Sequence, residues 1–413
     1  MTSVTHATVL QPGWLLTVAA LWFSASAAQA DAVTEWNLRA GEFVTASGLI
    51  TQPACRVMAI THTAAFEAAN AITRRYPSAA ASGLEAPADA SVEAAVAAAH
   101  RGALARLLPL QESAIDGAYK KALAAIAEGS AKDAGVAVGE RAALEVLARR
   151  ADDGAAAPES YRPATTAGRY VPTAIPATPQ WSQRKPWLMS SGAQFRPGPP
   201  PALASAQWAR DYNEVKAIGS KQSSLRSAEQ TDIARFWTTT LPPIYHGVVR
   251  SVAELPGRQL MRNARLFAAV TQAIDDAMIA VFDAKYHHAF WRPITAIRNG
   301  DLDGNEATER DASWTPLIDT PMHPEYPCAH CIQAGVIGAI LQAEIGAGPV
   351  PMLITASASA NGAVRRWTSV GAFVQEVSNA RVYGGMHYRN STEVGTDMGR
   401  RIGTLAIQRF QAE

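Results

Sequence analysis

The run from Met261 to Phe290 constrains the fold most. Leu266, Phe267, Val270, Ile274, Met278, Val281 and Phe282 recur along it at helical spacing, so it reads as one long helix with a broad apolar face. That face needs covering, and the chain supplies helices to do it. Residues 51–74 place Val57, Ile60, Ala64, Ala68 and Ile72 on one side of a helix, and SVEAAVAAAHRGALARLL (91–108) is a strong alanine-rich one. Residues 112–128 and 133–149 read as two more, and these four are expected to pack as a bundle. Further helices are expected near 331–345, 369–382 and 390–411. Alanine is abundant and β-branched runs are few, so the expected class is all-α, with no repeat of fixed period.

Ten of the 25 prolines lie between Pro158 and Pro201, which removes helix and sheet from that stretch. It also holds Tyr170, Trp181, Trp187 and Phe195, more aromatic surface than a disordered linker carries. Residues 151–204 therefore read as an ordered wrapping segment between two helical lobes, 31–150 and 205–413. A loop rich in Asp, Gly and Pro spans 300–328. With 413 residues and 48% hydrophobic content the chain can bury a sizeable core. A net charge of +1 without basic blocks argues against nucleic acid as a partner.

Residues 1–30 read as a signal peptide. WLLTVAALWF is a signal-length apolar core, and Ala28-Gln29-Ala30 is a cleavage pattern before Asp31, although no Lys or Arg precedes Trp14. No other stretch is long and apolar enough to span a membrane. An exported, soluble protein of the bacterial periplasm is expected, cleaved after Ala30. Three cysteines, Cys55, Cys328 and Cys331, are too few for a disulfide scaffold.

Three segments point towards an oxyanion. In DAKYHHAFWRPITAIR, Lys285 and Arg292 are seven residues apart and share a helical face. Two cations about 4 Å apart repel by roughly 4 kcal/mol at an effective dielectric near 20, unless an anion lies between them. A solvated basic face would show the same spacing. In HPEYPCAHC (323–331) a proline-rich loop runs into an apolar helix, whose first N–H groups, at Ala329 and His330, would face an anion. His330 would sit beside it as a proton donor or acceptor. In SNARVYGGMHYRNS, Arg381 offers a planar fork, and Gly384-Gly385 turns the chain so that His387 is placed by a turn.

The ordered set Lys285…Arg292-Pro293, Pro327-Cys328-Ala329-His330 and Arg381…His387 resembles the signature of vanadium-dependent haloperoxidases and type-2 phosphatidic-acid and acid phosphatases: Lys-x6-Arg-Pro, Pro-Ser-Gly-His, Arg-x5-His. FDAKYHHAFWRPITAIR, HPEYP, RVYGGMHY, RVMAITHTAAFEAANAI and ARRADDG resemble soluble bacterial haloperoxidase-type members, over most of residues 35–405. The resemblance implies their helical fold and one oxyanion site in the C-terminal lobe. Lys285, Arg292, Cys328, Ala329 and Arg381 would bind the oxyanion, and His330 would be the acid–base group. His387 would be the axial ligand of vanadium in vanadate, or the nucleophile of a phosphatase. The implied reactions are oxidation of a halide by peroxide at vanadate, or hydrolysis of a phosphomonoester with no cofactor. The partners are then small molecules, and a homo-oligomer is possible. A non-catalytic oxyanion binder or a redox-switched protein is a third reading.

The chain departs from the pattern where Cys328 replaces the serine and Ala329 the glycine. A thiol donates poorly and would be oxidised in a peroxidase. With Cys331 it could form a disulfide, stay free or bind a metal. A zinc site built from His323, His330 and the cysteines lacks a second cluster. His287 and His288 read as structural, with one of them a candidate for the pocket wall. Asp276 is a candidate to orient one of the arginines. His62 and His100 read as packing or surface residues, and Cys55 as a buried apolar one. Asp301, Asp303, Gly304 and Asn305 give only a weak calcium-loop signal.

Overall fold

The computed structural model describes residues 31–77 and 83–411. The expected signal peptide and its cleavage point fall on residues 1–30 and lie outside the described residues. The N-terminal helices are α1 (Ala32–Ala46), α2 (Thr51–Thr73), α3 (Val92–Leu107), α4 (Glu112–Ala124) and α5 (Ser130–Arg149). After the proline-rich stretch come α6 (Ala206–Ile218), α7 (Ala228–Phe236), α8 (Pro242–Ala253), α9 (Leu260–His288), α10 (Pro293–Arg298), α11 (Ala329–Ile345), α12 (Val370–Tyr383) and α13 (Arg389–Gln411). Helix α1 was not foreseen in the sequence.

The all-α class holds with one exception. β1 (Leu353–Ser357) and β2 (Ala363–Trp367) form an antiparallel hairpin with Leu353 opposite Trp367. Its two five-residue strands are too short to stand out in sequence. They hold because α8 packs on β1 and Thr355 Oγ1 donates to Ile244 O at 2.7 Å.

Helix α9 is the axis. It is buried on almost every side from Met261 to Lys285, with α2, α11 and α13 packed around it. One continuous core runs from Val33 and Trp36 through Phe267 and Ile274 to Ile337 and Ile402. Helices α3 and α5 lie so close that a Cβ on Gly139 would meet Ala98 Cβ at 2.8 Å. The proline-rich stretch lies along α9, anchored by buried Trp181, Arg184 and Met189. Asp276 does not orient an oxyanion arginine. Its carboxylate accepts the backbone N–H groups of Trp187, Leu188 and Met189 at 2.7–2.9 Å, and so holds this segment in place.

A histidine cluster is buried between the N-terminal helices and α8. Arg250 Nη1 donates to Asn37 Oδ1 at 2.8 Å, so the Asn37 amide nitrogen must be the donor to His62 Nε2 (3.0 Å) and His246 Nδ1 (2.9 Å). His100 Nδ1 donates to Val96 O at 2.8 Å. Burial pushes His100 down to about 4 and His246 down to about 3, and holds His62 well below its usual value. These groups take up protons more readily when unfolded, so their stabilisation is complete above about pH 6.5 and is lost as pH falls below it. Each should cost about 2 kcal/mol between pH 7 and pH 5. Urea unfolding midpoints should therefore drop over that range, and a flat midpoint would refute the assignment.

Candidate functional site

Helix α9 ends when Ala289 takes a left-handed conformation (φ 48°), its N–H bonded to Lys285 O. Lys285 thus sits in the last turn of α9, and Arg292 caps α10, with Pro293 next. Arg381 lies in the last turn of α12, and Gly385 at φ 79° turns the chain towards His387. A side chain on Gly385 would collide with Pro316, whose Cβ would lie 2.8 Å away. Cys328 caps α11, placing Ala329 and His330 in its first turn, with their N–H groups at the helix start.

These segments converge. His387 Nε2 lies 3.2 Å from Arg292 Nη1, and Arg292 Nη1 also donates to Met386 O at 2.9 Å. Lys285 Nζ donates to Pro324 O and Glu325 O at 3.0 and 2.8 Å. Arg381 donates to Trp237 O at 2.5 Å and Met386 Sδ at 3.0 Å. A cavity of about 330 Å³ is lined by Ala329, His330, Arg381 and His387, with a mouth formed by residues 49–52, 238–241 and 321–322. Lys285 and Arg292 stand behind that wall.

The charges do not balance. Lys285, Arg292 and Arg381 are at most 1% exposed. Among the described residues no carboxylate pairs with these three cations, and the nearby Glu325 carboxylate bonds His387 Nδ1 and Tyr388 N–H instead. Burial lowers Arg292 to about 10 and Arg381 to about 9 and pulls Lys285 well below its usual value, with neighbouring cations adding to the shift at Lys285 and Arg381. Burial and the same cations hold His330, His323 and His387 well below the usual range. Unpaired buried charge is costly, so the cluster is complementary to an anion. Two polar atoms remain without partners among the described residues: the donor Arg381 Nε and the ring nitrogen His330 Nε2. This set fits a tetrahedral oxyanion such as vanadate or phosphate.

Glu325 was quoted in HPEYP but given no role. Its Oε1 lies 2.7 Å from His387 Nδ1 and accepts Tyr388 N–H at 3.1 Å. Burial raises it to about 7 despite Arg292 and Lys285. Arg292 can only donate, so His387 Nε2 must be the acceptor and the ring proton sits on Nδ1, pointing at Glu325. The Nε2 lone pair is therefore presented to the site. His323 was also missed. It lines the cavity, and its Nδ1 accepts from Arg292 Nη2 at 2.9 Å.

Cys328 needs correction as an oxyanion-binding residue. The structure joins it to Cys331 as a disulfide, with Cα atoms 5.4 Å apart, so its sulfur has no proton to donate. Its N–H is taken by Ser391 O at 3.1 Å. Ala329 does line the cavity. His287 and His288 do not. The Asp303 carboxylate is taken up by Trp208 Nε1 and Thr308, and no metal-ligand cluster is present among the described residues.

Comparison with known proteins bears on the fold that carries this arrangement. Residues 265–413 match the family described as the VCPO second helical-bundle domain. The fold superposes on a bacterial vanadium-dependent iodoperoxidase with a TM-score of 0.77 and 25% identity, covering 91% of this chain and 96% of that one. Residues 265–413 thus carry this helical-bundle domain, and the whole fold is the fold of the bacterial vanadium haloperoxidases. A holo-type bacterial vanadium-dependent chloroperoxidase shares the fold at 16% identity and a TM-score of 0.71, over 89% of this chain and 93% of that one. The vanadium chloroperoxidase of Curvularia inaequalis is 27% identical over 176 residues, which is 35% of this chain and 28% of that protein.

Proposed function

We propose that this protein is a vanadate-dependent haloperoxidase that uses hydrogen peroxide to oxidise a halide. The observation that carries the reading is the buried excess of positive charge around the unprotonated Nε2 of His387, whose lone pair faces Arg292. Vanadate, when bound, supplies the Lewis-acid chemistry that activates peroxide. His387 Nε2 would hold the vanadium. Lys285, Arg292, Arg381 and the Ala329 N–H would hold its oxygens. Glu325 keeps the His387 proton on Nδ1. His330, neutral and unpartnered at Nε2, accepts and returns the proton of the reacting oxygen. The Cys328–Cys331 disulfide supports this reading, because it leaves no thiol at the helix start to be oxidised. It also fits export to an oxidising compartment after cleavage at Ala30.

The second reading is hydrolysis of a phosphomonoester. The Glu325–His387 pair favours it, because a carboxylate-oriented imidazole with an unprotonated Nε2 is equally a nucleophile. His330 would then protonate the leaving alkoxide. Bromination assayed with peroxide and bromide, before and after loading with orthovanadate, separates the two. Activity that appears only with vanadate is the expected result. Phosphomonoester hydrolysis inhibited by vanadate, without bromination, would replace the first reading by the second.

A further inference from the structure

A second cavity is lined by Arg292 and not by His387. It has a volume of about 460 Å³ and shares Arg292, Pro321 and Met322 between its wall and the catalytic surroundings. Two hydroxyl groups in its lining, Tyr170 Oη and Thr320 Oγ1, are buried with no hydrogen-bond partner among the described residues. Tyr170 is 3% exposed, and burial raises its hydroxyl to about 12 although the Arg292 charge pulls it down. Leaving two buried hydroxyls unsatisfied is unfavourable, so the cavity is shaped for a ligand that brings acceptors.

Its charges specify which acceptors. Lys221 and Arg292 line the cavity together with one acid, Asp319. Neither Lys221 nor Asp319 forms an ion pair among the described residues. The balance is one net positive charge. Val171, Ile294 and Met322 offer apolar wall beside these groups. We propose that this cavity is a binding site for a small organic monoanion: a carboxylate whose oxygens accept from Tyr170, Thr320 and Lys221, and whose apolar body lies on Ile294 and Met322. The site stands whichever reaction runs at His387, because Arg292 is the one group it shares with the residues assigned to the oxyanion.

Calorimetric titration with benzoate tests it, on the wild type and on Tyr170→Phe and Lys221→Gln. Both substitutions spare the core, since one removes a single unpartnered hydroxyl and the other changes an exposed side chain. The expected result is one-to-one binding that persists in saturating orthovanadate and weakens about tenfold in each variant, the loss of one charge-assisted or buried hydrogen bond. Absence of binding, or binding unchanged in both variants, would overturn the proposal. Displacement of benzoate by orthovanadate would overturn it too, by placing benzoate in the His387 cavity. If vanadate does not bind at all, the function proposed above fails, while the two variants still decide this site.

Discussion

Glu325→Gln should lower turnover by about 10³- to 10⁴-fold while leaving the protein folded. The reason is the tautomer. Glu325 accepts the Nδ1 proton of His387 at 2.7 Å, and Arg292 occupies the Nε2 lone pair at 3.2 Å. A glutamine can present its amide N–H to Nδ1 instead, which moves the ring proton to Nε2. A protonated Nε2 can neither ligate vanadium nor attack phosphorus, and the wrong tautomer in a comparable carboxylate–histidine pair costs about 10⁴-fold. Glu325→Asp should recover part of the activity, because it keeps an acceptor although at a longer reach. Steady-state kcat for bromination or phosphoester hydrolysis, with circular dichroism as the control for folding, is the measurement. A Glu325→Gln enzyme within tenfold of wild type would show that His387 is positioned without its carboxylate. His387→Ala should abolish turnover in the same assay.

Arg184→Met should destabilise the protein by about 3–5 kcal/mol, the cost of leaving buried charges unpaired. The Arg184 side chain is fully buried, donating to Asp275 at 2.6 and 3.0 Å and to Asp153 at 2.7 Å. Arg56 also donates to Asp153, at 2.8 Å, and Trp187 Nε1 to Asp275, at 2.8 Å. This network ties α2, the end of α5, the wrapping segment and α9 together. Removing the arginine leaves Asp275 in the interior with one of its three donors and Asp153 with two of its three. Adding Asp275→Asn to Arg184→Met should restore part of the loss, which a purely steric effect would not. Equilibrium urea unfolding at pH 7 measures both. A loss below about 1 kcal/mol would mean that water enters and solvates the carboxylates.

Much of the site was legible because its residues carry rare chemistry in a fixed order. Lys285, Arg292, His330, Arg381 and His387 come from segments spread over a hundred residues, and the structure brings them together. Glu325 was present in the quoted HPEYP stretch, but an acid between two prolines has no local pattern that assigns it a partner. Its partner lies 62 residues away. Cys328 and Cys331 left three states open in sequence, and the spacing at a helix start closed them into one. ARRADDG entered only as a resemblance. Its Asp153 proves to be an anchor for Arg184 and Arg56.

What the sequence determined by itself was periodic or chemical. Apolar spacing marked α9 and most of its neighbours, and the ordered cations and histidines marked an oxyanion site, because both signals are written in consecutive residues. What only the tertiary structure decided depends on distant groups meeting. This includes the ring proton of His387, the neutral state of the histidines in the N-terminal helices, the role of Asp276 in holding the wrapping segment, and the unpartnered hydroxyls beside Arg292. Hydrogen-bond satisfaction and desolvation act through space, so no local pattern in the chain encodes them.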